Sequence, residues 1–184
     1  MTDINQQLDA SGQDGGHAGG VARRPSPGAI DPALLDVAEL LFFAYRDFIG
    51  EPDEILAEFG FGRAHHRVLH FVTRNPGLRV ADLLDILKIT KQSLGRVLKQ
   101  LVDEGYIQQE TGKTDRRERR LFATPLGRAL TERLARPQAE KLARSLAAAG
   151  GDSALAVRRF LNEMIAEDAR ASVSGLNGRR ERSQ

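Results

Sequence analysis

The chain has no cysteine and no tryptophan, and aromatic residues fill only 5% of its 184 positions. Without cysteine there can be no disulfide framework, thiolate zinc site, cysteine nucleophile or thiol redox switch. Scarce aromatics argue against a stacking platform for single-stranded nucleic acid. No apolar run approaches the length of a membrane span. Asp3, Gln6, Gln7 and Asp9 interrupt the N-terminal stretch early, so no signal peptide is expected. A cytoplasmic location is the expectation. Catalytic signatures are missing too. Ser93 and Ser153 lack a Gly-x-Ser-x-Gly context. Asp82 and Asp85 fall at amphipathic surface positions, and no glycine-rich loop follows a strand to hold a phosphate. No catalytic residue, cofactor or enzymatic activity is expected.

What is present is an uneven distribution of charge. The net charge is only +2. Between Lys88 and Arg120, however, nine basic residues face five acids, an excess of four, so the rest of the chain carries −2. A positive excess gathered in one stretch suits an electrostatic footprint for phosphates.

The pattern along the chain predicts a mainly α fold with a small β-hairpin. Residues 1–30 and 172–184 are polar, with glycine and serine, and predict disordered tails, the second of them basic. Between them lies a single domain, residues 31–171. Asp31 and Pro32 open the first helix as N-cap and first helical residue. Apolar residues from Leu34 to Ile49 cover most of its circumference, too wide a stripe for a helix packed on one side. Such a helix is either fully buried in its own core or shared with a partner subunit. Gly50 and Pro52 are expected to end it, with a short helix near Asp53–Phe59. Another helix is expected at Arg63–Arg74, stopped by Asn75-Pro76-Gly77, and a short one at Ala81–Leu87.

Thr90 then reads as the N-cap and Gly105 as the C-terminal stop of a helix at about Lys91–Glu104. Leu94, Val97, Leu98 and Leu101 form its apolar stripe at the spacing i, i+3, i+4, i+7. The opposite face carries Gln92, Arg96, Lys99 and Asp103. Tyr106–Glu110 and Arg119–Thr124 read as two strands joined by a basic, glycine-containing loop. Thr124-Pro125 caps a long helix that should kink at Pro137 and stop at Gly150-Gly151. A last helix carries Val157, Phe160, Leu161, Met164 and Ile165 on one face.

Helix, turn, short helix, turn, basic-faced helix and basic hairpin is the order of a winged helix-turn-helix. An α-helix fits the major groove of B-DNA, and a hairpin beside it can place a guanidinium in the narrow minor groove. The stretch Thr90–Ile107 resembles the recognition helix of the MarR family of transcriptional regulators. Asp115-Arg116-Arg117 followed by Thr124-Pro125-Leu126-Gly127 resembles that family's wing signature, Asp-x-Arg and then Leu-Thr-x-x-Gly. The resemblance covers about Asp31–Asp168.

It implies a homodimer that binds double-stranded DNA at a pseudo-palindromic operator, with a small-molecule effector able to modulate it. It implies dimerisation helices at about 31–49 and 125–171 and a winged helix-turn-helix at about 63–124. Arg117 matches the wing arginine of the minor groove, and Asp115 the acid that orients it. Arg96 matches the arginine of the recognition helix. Lys91, Gln92, Ser93, Lys99 and Gln100 fall at positions that face bases or phosphates in relatives, while Lys113 and Arg116 complete the wing's basic set. Ala123 departs from the usual leucine. Gly95 stands where threonine or serine is commoner; either DNA approaches closely there or the glycine is merely tolerated. Asp103 and Glu104 are candidates to pair with Arg119 or Arg120.

Two other readings deserve weight. The same elements could form a module for protein or RNA with no operator. His66 and His70, four residues apart on one helix face, have a spacing that zinc can use, which would make a metal-responsive sensor. No glutamate follows His66 and no cysteine is available, so structural histidines and no metal are the expectation.

Overall fold

The computed structural model describes residues 30–112 and 118–170. The expected tails therefore lie outside the described residues, Ile30 excepted. So do Lys113, Asp115, Arg116 and Arg117. The chain divides into two units, Met1–Leu40 and Leu41–Gln184. In the first, the described residues are the opening turns of helix α1 (Pro32–Ala57). Asp31 caps them as expected, its Oδ1 accepting from the Ala33 N–H at 3.0 Å. Ile30, Leu34, Leu35, Val37 and Leu40 are exposed there.

The second unit holds the rest of α1, then α2 (Arg63–Arg74), β1 (Leu78–Arg79), α3 (Val80–Leu87), α4 (Lys91–Asp103), β2 (Ile107–Thr111), β3 (Arg119–Ala123), α5 (Pro125–Ala149) and α6 (Ser153–Met164). The sheet has the order β1-β3-β2 and is antiparallel throughout. Ile107 pairs with Ala123 and Thr111 with Arg119, close to the expected hairpin. Strand β1, where Leu78 faces Leu121, was not legible in the sequence: two residues are too short for an alternation to show. It forms because Gly77, at φ 78°, turns its N–H onto the Leu121 carbonyl at 2.9 Å.

The core lies among α2, α3, α4 and the sheet, and Leu56 of α1 and Leu134 of α5 join it. Leu56, Val68, Leu69, Val72, Leu83, Leu101, Leu121 and Leu134 are fully enclosed. Burying one such leucine stabilises by about 2 kcal/mol.

Helix α1 corrects one expectation. It does not end at Gly50 or Pro52 but runs on to Ala57, absorbing the short helix expected at Asp53–Phe59. Proline removes one helical hydrogen bond and orphans the carbonyl four residues earlier. Here that carbonyl, of Phe48, accepts from the side-chain amide of Gln138 on α5 at 3.3 Å. One residue before it, the Asp47 carbonyl accepts from Lys141 Nζ at 2.6 Å. Pro52 itself is buried. Side chains some ninety residues away in sequence thus supply the lost donor, which local sequence cannot reveal. Helix α1 is not a fully buried core helix either. Within the second unit Phe42 is 72% exposed, and Leu41, Phe43 and Tyr45 are also open. Helix α5 is continuous through Pro137.

The junction of α4, the hairpin and α5 is tight. The Thr124 hydroxyl caps α5 by accepting from the Gly127 N–H at 3.1 Å, and it donates to the Gly105 carbonyl at 2.7 Å. The Thr124 N–H donates to the Tyr106 carbonyl at 3.1 Å. Gly127 lies against that same carbonyl: a Cβ added there would sit 2.1 Å from the Tyr106 oxygen. One turn on, the Thr131 hydroxyl donates to the Gly127 carbonyl at 2.7 Å and lies 3.0 Å from the Thr73 hydroxyl of α2.

Replacing a helical glycine by alanine ordinarily stabilises a protein. Gly127→Ala is expected to do the reverse, lowering stability by about 1–3 kcal/mol or more through overpacking against backbone. Thermal or urea unfolding of the variant against the parent checks the sign.

Candidate nucleic-acid interface

Helix α4 is built as its sequence dictates. The Thr90 Oγ1 accepts from the Ser93 N–H at 3.1 Å, and its hydroxyl donates to the Ser93 Oγ at 2.9 Å. Gly105, at φ 79°, follows the last turn. Leu94, Val97, Leu98 and Leu101 are buried. Lys91, Gln92, Ser93, Arg96 and Lys99 are exposed, and Gln100 is half-buried. The polar row therefore stands in solvent because the apolar stripe holds the helix to the core.

Two of these side chains are tied to neighbours. Lys99 pairs with Asp103 one turn on. Gln100 donates to Glu104 at 2.9 Å, and its amide oxygen lies 2.9 Å from His65 Nε2. His65 Nδ1 accepts from the Gly62 N–H at 3.1 Å, closing the start of α2. That role leaves the proton on Nε2, which donates to Gln100. His65 also stacks on Phe61, with ring centroids 4.7 Å apart. The carboxylates of Asp103 and Glu104 are thus engaged within α4 rather than paired with Arg120, which bonds Glu118 Oε1 at 2.7 Å.

The hairpin rises beside α4. Its ladder ends at Thr111 and Arg119, whose Nη1 donates to the Thr111 hydroxyl at 2.8 Å. The Gly112 N–H donates to the Glu118 carbonyl at 2.9 Å and closes the base of the loop. Residues 113–117 beyond it are the undescribed wing residues. Glu118 also lies 3.9 Å from Arg79, which is held by both oxygens of Asp82 at 2.5 and 3.0 Å. Between α4 and the hairpin lies an open cleft of about 630 Å³. Arg79, Lys99 and Arg119 line it alongside Asp103 and Glu118. Sequence reasoning did not single out Arg79 or this cleft, because the residues come from five separate elements.

A second cavity, of about 310 Å³, opens between α1, α2 and α5. Tyr45, Phe48 and Phe71 give it apolar walls, and His66, His70 and Gln138 give it polar ones. The Arg63–Asp53 ion pair, at 2.8 Å, lies on the same lining. Burial lowers the His66 pKa from its ordinary value, against the opposing pull of the Asp53 charge. Among the described residues, no group of three or more His, Asp or Glu side chains is placed to hold a metal ion. No described helix is long and apolar enough to cross a membrane.

Residues 59–118 match the sequence model of the MarR family. The chain is 42% identical over 135 residues to the HTH-type transcriptional regulator PetP of Rhodobacter capsulatus, covering 73% of this chain and 81% of that protein. Among solved structures, a MarR transcriptional regulator from Methanosarcina mazei Go1 superposes with a TM-score of 0.56 at 26% identity, covering 71% of this chain and 94% of the other. A MarR mutant from E. coli, solved in complex with operator DNA, gives a TM-score of 0.56 at 17% identity, over 75% of this chain and 99% of the other. The winged helix-turn-helix order, the three-stranded sheet and these likenesses together establish that the chain belongs to the MarR family of DNA-binding transcriptional regulators.

Proposed function

We propose that the chain works as a cytoplasmic homodimer that reads a pseudo-palindromic operator in double-stranded DNA, under the control of a small effector molecule. The observation that carries the DNA reading is the exposed row on α4 beside a basic hairpin, held outward by a buried Leu/Val stripe. On this reading Gln92 and Arg96 reach base edges in the major groove, and Lys91, Ser93, Lys99 and Gln100 meet bases or phosphates around them. Arg117 enters the adjacent minor groove, Asp115 orients it, and Lys113 and Arg116 meet phosphates. The winged helix-turn-helix occupies about residues 63–124, and helices at about 31–49 and 125–171 form the dimer.

Support for a dimer comes from apolar side chains that no described residue covers. Leu34, Leu35 and Leu40 are open in the first unit. Phe42, Leu155, Phe160, Leu161 and Met164 are open in the second. Exposed apolar surface on this scale marks an association surface. Dimer symmetry would set two α4 helices about one helical turn of DNA apart. The largely apolar cavity beside α2 suits a small ligand, which would act by favouring one spacing of the two DNA-binding lobes.

Selection of bound duplexes from a random pool tests the reading directly. A distinct, two-fold-symmetric motif is the expected product; weak, unselective binding would favour a protein or RNA module instead. Arg117→Ala should weaken binding without unfolding the protein, as mobility shifts and circular dichroism would show. Arg96→Ala should cost about 1–3 kcal/mol at its cognate base and relax preference there, if the contact is bidentate. Operator affinity should fall steeply with salt, since Lys91, Lys99 and Arg116 displace counterions from phosphates.

His66 gives a pH prediction. Its folded pKa lies below the ordinary imidazole value of 6.5. Above that value both states are neutral and His66 contributes no slope. As pH falls through it, the unfolded chain binds the proton more readily, so stability is lost until the folded pKa is passed. Urea unfolding of the parent and of His66→Asn at pH 7.5 and about 5.5 should show a smaller loss in the variant.

A further inference from the structure

When a helix occupies a major groove and a neighbouring loop the adjacent minor groove, the sugar–phosphate strand between those grooves must pass between helix and loop. In this chain the space between α4 and the hairpin is the 630 Å³ cleft. Its apolar floor includes Val80, Ala81, Leu98 and Val102. Three cations line it, Arg79, Lys99 and Arg119, against two carboxylates, Asp103 and Glu118. The Lys99–Asp103 pair is exposed, at 76% and 56% of the two side chains. Pairs so open to water contribute little, so a phosphate can take Lys99 from Asp103 at small cost.

Gly95 lines the cleft from the middle of α4. Glycine there lowers helix stability relative to alanine. Among the described residues nothing asks for it. Its φ is not positive, and a Cβ added there would meet no atom within 4 Å. The contrast is Gly127, whose missing Cβ makes room for the Tyr106 carbonyl. The described residues thus leave the space beside Gly95 open toward the cleft.

We infer that the cleft between α4 and the hairpin is the channel for the DNA phosphate strand, and that Gly95 is its point of closest approach. Arg79 then joins Lys99, already proposed to meet phosphates, in binding that strand. The inference rests on the DNA reading above.

Gly95→Ala and Gly95→Leu in the full-length chain test it, with a duplex enriched by the parent protein from a random pool as probe. Both variants should raise the melting temperature, because alanine and leucine are better helix formers. Both should bind more weakly by fluorescence anisotropy, about tenfold for alanine and about a hundredfold for leucine. Lys99→Gln should flatten the slope of log affinity against log salt by about one. Stability and affinity moving in opposite directions is a signature that a purely structural glycine would not give. Parent-like binding by Gly95→Leu, with the parent's own binding salt-dependent, would overturn the channel and leave the DNA reading intact. A parent protein that binds no duplex would overturn both.

Discussion

The arrangement of α4 and the hairpin hangs on a contact between backbones. The first turn of α5 presses Gly127 onto the Tyr106 carbonyl, at a distance no side chain could occupy. Thr124 locks the same junction twice, through its N–H to Tyr106 and its hydroxyl to Gly105. Three elements meet there: the end of α4, the start of β2 and the start of α5. Because interiors are close-packed, a shift at such a junction cannot be absorbed locally. The angle between helix and hairpin, and with it the width of the cleft, is set at this point. The threonine and glycine of the family's wing signature therefore act here as structural residues, while the arginines ahead of them carry the charge.

Around that junction the side chains divide their tasks sharply. Tyr106 packs edge-on against Phe59 and Phe61, with centroids 6.3 and 5.2 Å away. Phe61 in turn stacks on His65, whose imidazole bonds both the start of α2 and Gln100 on α4. The next residue, His66, faces the cavity between α1, α2 and α5. Neighbouring residues in one helical turn thus touch the candidate recognition helix and the candidate ligand cavity. That short path gives a physical route by which occupancy of the cavity could reach α4.

The second constraint is the handling of Pro52. A proline within a helix costs about 3 kcal/mol unless its surroundings compensate. Gln138 returns a hydrogen bond to the orphaned Phe48 carbonyl, and Gln138 also lines the cavity. The long α1 helix, with its many exposed apolar side chains, is in this way tied to α5 beside the cavity wall. Exposed apolar residues recur on α6, and among the described residues nothing gives them the cover that isolated globular chains give such surface.

Local chemistry made much of this legible. Thr90 and Gly105 bracket α4 because caps and left-handed stops act within a few residues, and the Leu/Val spacing told its inner face from its outer one. The hairpin strands were found to within a residue for the same reason. Helix α1 was misread at Pro52, since the donor that sustains it arrives from Gln138. Strand β1 was missed, since its two residues become a strand only when β3 lies alongside. The cleft, the His65–Gln100 bond and the purpose of Gly127 were invisible in the linear order, because each needs residues from distant elements brought within a few ångströms. Periodicity and capping are written in neighbouring residues and survive any reading of the chain. Which carbonyl meets which glycine, and what space is left open between a helix and a hairpin, are properties of packing, and they exist only once the chain has closed on itself.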